Sequence, residues 1–141
     1  MADRIQAIRA YTPRIEHKKM AENLVLRELI AGRTSFTEGA VSHMLMELRY
    51  VLEFFLKEGQ PVRLDGIGIF STAIKKNGEL TVNFRVDGGL KGTLNKPDGG
   101  YSGAIINRGM IGKTADQMIE RWNREHPDDK INTPKITKPN K

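Results

Sequence analysis

Gln60-Pro61-Val62-Arg63-Leu64-Asp65-Gly66-Ile67-Gly68-Ile69-Phe70 decides how the rest of this chain is read. Val62, Leu64, Ile67, Ile69 and Phe70 favour extended backbone, and Gly66 and Gly68 mark places where a strand bends, bulges or is approached closely by another backbone. The pair of glycines does not extend to the Gly-x-Gly-x-x-Gly that opens a phosphate-binding helix, because position 71 is Ser71.

Upstream, Ala40, Val41, Met44, Leu45, Leu48, Val51, Leu52, Phe55 and Leu56 recur at spacings of three and four until Gly59. They predict an amphipathic helix of about 30 Å, N-capped by Thr37. A shorter helix is predicted from Lys19 to Ala31, stopped by Gly32. Downstream, Ser71 to Lys76 continue as a strand, Asn77-Gly78 suits a two-residue type I′ turn, and Leu80 to Val86 return.

The order helix, Gly-x-x-Val-x-Leu-x-Gly-x-Gly-x-Phe, hairpin, then Phe84-Arg85 and Leu90-Lys91, resembles the HU/IHF family of bacterial DNA-bending proteins over residues 20–95. The resemblance implies an α+β fold: two N-terminal helices, then a three-stranded antiparallel β-sheet or hairpin, here with a C-terminal helical extension, in an intertwined dimer. It also implies an architectural protein of the nucleoid, in the cytoplasm. The sequence departs from the family in two places. Only thirteen residues, 71–83, separate Phe70 from Phe84, where the family carries a long arm whose tip enters the minor groove. Asp87 and Gly88 stand where the family has glycine and lysine, so only Lys91 keeps its basic match in the third-helix region.

The chain has 141 residues and a net charge of +6. Residues 21–59 hold four Lys/Arg against six Asp/Glu, whereas residues 60–95 hold five against three, so the hairpin half is the basic half. Arg63, Lys75, Lys76, Arg85 and Lys91 are the candidate DNA-phosphate contacts. No array of Asn, Gln or Arg is arranged to read base edges, so binding is expected to be non-specific. The hairpin tip lacks an apolar wedge, which predicts reduced bending. The alternative is an HU-derived interaction or scaffold module that does not bind DNA. The apolar face of the long helix is too wide for one short helix and one hairpin, and it predicts a homodimer with Leu48, Leu52 and Phe55 at the interface.

The remaining segments are assigned by composition. Residues 1–19 form a basic segment with a possible edge strand over 4–15, since Pro13 confines any strand to an edge. Residues 87–103 resist regular structure, with a Gly-rich linker at 96–103. Residues 104–127 make a strand-helix satellite, Ala104-Ile105-Ile106 followed by a helix capped through Thr114 and Gln117 and anchored by Trp122. The tail, 128–141, is expected to be disordered.

Enzymatic chemistry finds little support. There is no cysteine, the three histidines lack metal-ligand spacing, and no catalytic, metal or cofactor constellation emerges. Gly112-Lys113-Thr114 fails as a P-loop because Asn107 occupies the required glycine position. No small-molecule substrate is expected, and no apolar run is long enough for a membrane span.

Overall fold

The computed structural model describes residues 1–132. Most of the tail expected to be disordered therefore lies outside the described residues. The chain divides into two compact units, one built from Met1–Lys18 together with the segment from Gly103 onward, the other from Lys19–Ser102.

The larger unit starts with α2 (Asn23–Arg33) and α3 (Glu38–Lys57). Thr37 caps α3 by accepting the Ala40 N–H at 3.1 Å, and Gly59 ends it in the left-handed region at φ +74°. Gly32 does not stop α2, contrary to expectation. The helix runs through it to Arg33 and ends where the Thr34 hydroxyl donates to the Ile30 carbonyl at 2.8 Å. A glycine near a helix end is only a permissive residue, and here the side-chain bond of the next polar residue decides the boundary.

Three antiparallel strands follow, β2 (Val62–Leu64), β3 (Gly68–Ile74) and β4 (Leu80–Val86), in the order β2-β3-β4. Ile67 N–H donates to Leu64 C=O at 3.0 Å to close the β2–β3 turn, with Gly66 at φ +74°. Gly68 meets a different demand. A Cβ there would lie 2.3 Å from the Arg85 carbonyl oxygen and 2.6 Å from the Phe84 ring, so only a hydrogen fits. The rings of Phe70 and Phe84 pack with centroids 4.8 Å apart on the same face of the sheet.

The β3–β4 connection corrects the expected two-residue type I′ turn. That turn needs positive φ at both central residues, and Asn77 does not adopt it. Instead Lys75 N–H donates to Glu79 C=O and Gly78 N–H to Lys75 C=O, both at 2.9 Å, leaving a three-residue loop with Gly78 at φ +86°. A second correction concerns the segment after β4. Gly88–Leu94 form a helix, α4, where composition suggested irregular chain. The Asp87 carboxylate accepts the Gly89 and Leu90 N–H groups at 2.9 and 3.4 Å, an N-cap that offsets the poor helix propensity of the glycines.

The smaller unit joins both ends of the chain. Residues 4–11, expected within an edge strand, form a helix, α1 (Arg4–Tyr11), because Asp3 accepts the Gln6 N–H at 2.7 Å and Ala7 and Tyr11 share one buried face. Only Arg14–Ile15 are extended, as β1, which pairs antiparallel with β5 (Ile105–Ile106). A 3₁₀ turn (Arg108–Met110) leads to α5 (Ala115–Glu125). Thr114 and Gln117 make the expected capping box, with both reciprocal bonds present. Asn107, the one described non-glycine residue with positive φ, donates its side-chain amide to the Ala10 and Thr12 carbonyls at the end of α1.

Ala7, Tyr11, Met110, Met118, Ile119 and Trp122 form the core of this unit. Tyr11 donates its hydroxyl to Glu125, whose other oxygen accepts Arg121 Nε at 2.9 Å. Residues 128–132 do not begin free chain, as composition implied. Trp122 Nε1 donates to Asp129 C=O at 2.9 Å, and Asn123 exchanges two hydrogen bonds with the Ile131 backbone.

Three outcomes follow from these contacts. Gly68→Ala should disrupt the β3–β4 register and lower the midpoint of far-UV circular dichroism well below that of Gly66→Ala, whose left-handed φ costs about 1–2 kcal/mol. Ile119→Ala should cost about 2–5 kcal/mol in the smaller unit, read from the urea transition of Trp122, the only tryptophan in the chain. In the same transition, pH should act at both ends. Hydrogen bonds from Arg121 and then Tyr11 hold the Glu125 carboxyl below the usual range, so its contribution is present above the ordinary carboxylate range and is lost as pH falls through the lowered native pKa. Burial and the bond to Glu125 push Tyr11 up, so its contribution is present below the ordinary tyrosine range and is lost as pH rises through the raised native pKa. Tyr11→Phe should remove the alkaline loss.

Candidate nucleic-acid interface

Directly paired residues in an antiparallel sheet project to the same face, and neighbours along a strand alternate. Applied to the observed register, this separates two chemically different faces. Val62, Leu64, Phe70, Thr72, Ile74, Leu80, Val82, Phe84 and Val86 share one face. On that face Thr72 donates its hydroxyl to the Leu56 carbonyl near the end of α3 at 2.7 Å, so α3 lies against this side. Its distal part remains open, with Ile74 70% and Leu80 67% exposed.

The other face is polar. Arg63 and Arg85 both pair with Ile69, one from each side, so the two guanidinium groups extend from a single rung across three strands. The next rungs are Ser71 with Asn83 and Ala73 with Thr81. The Lys75–Glu79 backbone bond continues the ladder to the hairpin tip, where Lys76 sits. Six residue steps of extended chain lead from the Ile69 rung to Lys75, about 20 Å at 3.3 Å per residue. The result is a polar strip with arginines at one end, lysines at the other and small hydrogen-bonding side chains between them.

The five sequence-selected cations are placed unequally. Arg63 and Arg85 come together. They line a groove of about 410 Å³ with Asp65 and Asp87, so carboxylates temper the charge there. Asp87 is engaged in capping α4. Lys75 pairs with Glu79 at 3.1 Å, an exposed contact of small energetic weight. Lys76, Arg63, Arg85 and Lys91 have no ion pair among the described residues. Lys91 is in the last turn of α4, whose first residue Gly88 lines the same groove as the two arginines. Sequence reasoning overlooked Ser71, Thr81 and Asn83; strict alternation from Arg85 puts Asn83 and Thr81 on the arginine face, whereas Ser71 joins them only through the β3–β4 register.

The residues proposed for a dimer contact, Leu48, Leu52 and Phe55, are half-buried within the chain itself, while Met44, Tyr50, Val51 and Phe54 on α3 are more exposed. Leu52 and Leu56 of α3 line an apolar groove of about 320 Å³ with Thr72, Leu80 and Val82 of the sheet. Among the described residues no group of three or more His, Asp or Glu side chains could hold a metal ion, and no helix is long and apolar enough to cross a membrane.

No curated protein matches the chain. The sequence pattern of the family described as "HU domain fused to wHTH, Ig, or Glycine-rich motif" matches residues 6–87, more than half of the chain and all of α2 to β4. The helices, the three-stranded sheet and this match together make the chain a member of that HU-HIG family, carrying an HU-like α+β domain.

Proposed function

We propose that the chain is a non-enzymatic, architectural DNA-binding protein that acts as a homodimer on duplex DNA with little sequence preference. The observation that carries this reading is the polar face of the sheet, on which Arg63 and Arg85 flank Ile69 and the strip continues to Lys76. Arginines held on paired strands are spaced by the sheet and lose little freedom on meeting phosphates. Ser71, Thr81 and Asn83 add hydrogen-bonding groups that suit backbone oxygens and carry little base discrimination. A nucleoid location in the cytoplasm goes with such a partner, and the proposal includes no cofactor or small-molecule substrate.

A homodimer is supported by where the cores lie. Among the described residues, six of the seven buried hydrophobic side chains belong to the smaller unit, and the larger one, with the 20-residue α3 and a three-stranded sheet, buries only that of Val41. Leu24, Leu29, Met44, Phe54, Val82 and Phe84 remain exposed there, more apolar surface than a self-sufficient domain leaves open. Arg27 Nε is also buried without a hydrogen bond among the described residues, beside a groove lined by Leu26, Ser42, Leu45, Met46 and Arg49. A second copy would cover the apolar face and could supply an acceptor to Arg27.

Reduced bending completes the reading. The tip residues Lys75 to Glu79 include no apolar side chain, and Ile74 and Leu80 point from the opposite face of the sheet, so no wedge is carried to a base step from the polar side.

Fluorescence titration on a generic duplex should give affinity that falls steeply with salt, and Arg63→Ala with Arg85→Ala should flatten the salt dependence by about 1.8 in logarithmic slope, about 0.9 for each lost phosphate contact. Energy transfer across the same end-labelled duplex should leave its end-to-end distance unchanged. Absence of binding at low salt would overturn the DNA reading. Separately, sedimentation should give a dimer, and Leu52→Asp should shift it toward monomer by placing a charge in an apolar contact. A wild-type protein that sediments as a monomer would reject the homodimer.

A further inference from the structure

The smaller unit has a charged surface that its own fold does not use. The inner face of α5 is occupied by Met118, Ile119 and Trp122. Several acids nearby are already engaged. Asp116 pairs with Arg4 at 3.1 Å, Glu125 holds Arg121 and Tyr11, and both oxygens of Asp129 accept the Ala2 N–H at 3.0 Å. Lys113 and Arg124 have no ion pair among the described residues.

Gln117, Arg121 and Arg124 recur at spacings of four and three, which places them along one edge of α5, and Lys113 stands just before the Thr114 cap. They line a groove of about 270 Å³ together with Met110 and Glu120, so three cations face one carboxylate. From Gln117 to Arg124 the edge is about 10 Å long at 1.5 Å per residue. Arg121 is held in place on two sides, by Glu125 and by the Tyr11 ring, whose centroid lies 4.8 Å from its guanidinium carbon.

We propose that this edge of α5 is a second phosphate-binding surface, through which the unit made from the two chain ends contacts the backbone of duplex DNA. Lys113 and Arg124 supply free charge, Arg121 a guanidinium already fixed in direction, and Gln117 a neutral donor. Duplex DNA presents one negative charge per about 1.7 Å of axis, so an edge of this length meets several phosphates at once. The contact needs no base recognition and adds affinity without sequence preference. The surface lies beyond residues 6–87, outside the family match. Its partner rests on the duplex binding proposed above, but its residues do not.

The test is a duplex titration with the full chain at about 50 and about 200 mM salt, comparing wild type with Lys113→Gln/Arg124→Gln and with Arg63→Ala/Arg85→Ala. Unchanged Trp122 emission and helicity in the first variant establish that its unit is intact. Loss of two phosphate contacts should shrink the fall in affinity over this salt range by about tenfold. That result supports the second surface, and if the arginine variant binds normally it does so while overturning the sheet as the DNA site. An unchanged salt dependence in the Lys113/Arg124 variant, with weakened binding in the arginine variant, overturns the second surface and leaves the sheet reading standing. A wild-type protein that does not bind duplex DNA at about 50 mM salt overturns both.

Discussion

Gly68 has only a hydrogen where any other residue would set a carbon 2.3 Å from the Arg85 carbonyl oxygen and 2.6 Å from the Phe84 ring. This close approach lets β4 lie against β3 in the register that pairs Gly68 with Val86 and Ile69 with Arg85. Both faces of the sheet depend on it. A slip of one residue would turn Arg85 toward α3 and Phe84 toward solvent, exchanging the polar strip for the apolar one. The Phe70–Phe84 contact, the two-arginine rung and the position of the Asp87 cap therefore share one steric condition.

The two units solve the problem of burial differently. In the smaller one, two short helices from opposite ends of the sequence enclose Ile119 completely and fix Tyr11 and Trp122 edge to face, with centroids 6.4 Å apart. Helices of this length are marginal alone, so each depends on the other for stability. The larger unit has the 20-residue α3 and a three-stranded sheet yet leaves most of its large apolar side chains exposed. Backbone hydrogen bonds and caps define its elements, and little of its apolar surface is buried within the single chain. This division also separates chemistry from packing. The polar face of the sheet is free of core duties, and its arginines hold no ion pair among the described residues.

How far the site could be read beforehand varied by element. Alternation in Leu80 to Val86 marked β4, and Arg63 and Arg85 were selected from local charge alone. Gly66 and Gly68 mark a turn and a close approach in the sequence, but which residues of β2 and β4 then pair with Ile69 is decided only by the folded sheet. Lys75 was selected on the same grounds, but Glu79 lies directly across the three-residue loop and pairs with it. Near Asp87 composition misled, because three glycines within five residues suppress a helix statistically, whereas one carboxylate with two backbone donors starts one locally. At the N-terminus the mixed apolar and basic residues suggest a possible strand that Pro13 confines to an edge, whereas the cap at Asp3 and the i, i+4 pair Ala7 and Tyr11 form a helix.

Local interactions are legible in a sequence because both partners lie within a few residues of each other. Thr37 capping α3, the Thr114–Gln117 box, the three-and-four periodicity from Ala40 to Leu56 and the glycine of the β2–β3 turn are all of this kind, and together they determined the long helix and first hairpin of the HU-like domain and, beyond it, α5. Tertiary structure alone decided that residues 1–18 belong with the segment after Gly103. The contacts that join them, Tyr11 with Glu125, Asn107 with Ala10 and Ala2 with Asp129, span between 97 and 127 residues. Such pairs leave no periodic trace, because what brings them together is the path of the intervening chain and the shared need to bury Trp122 and Ile119 away from water.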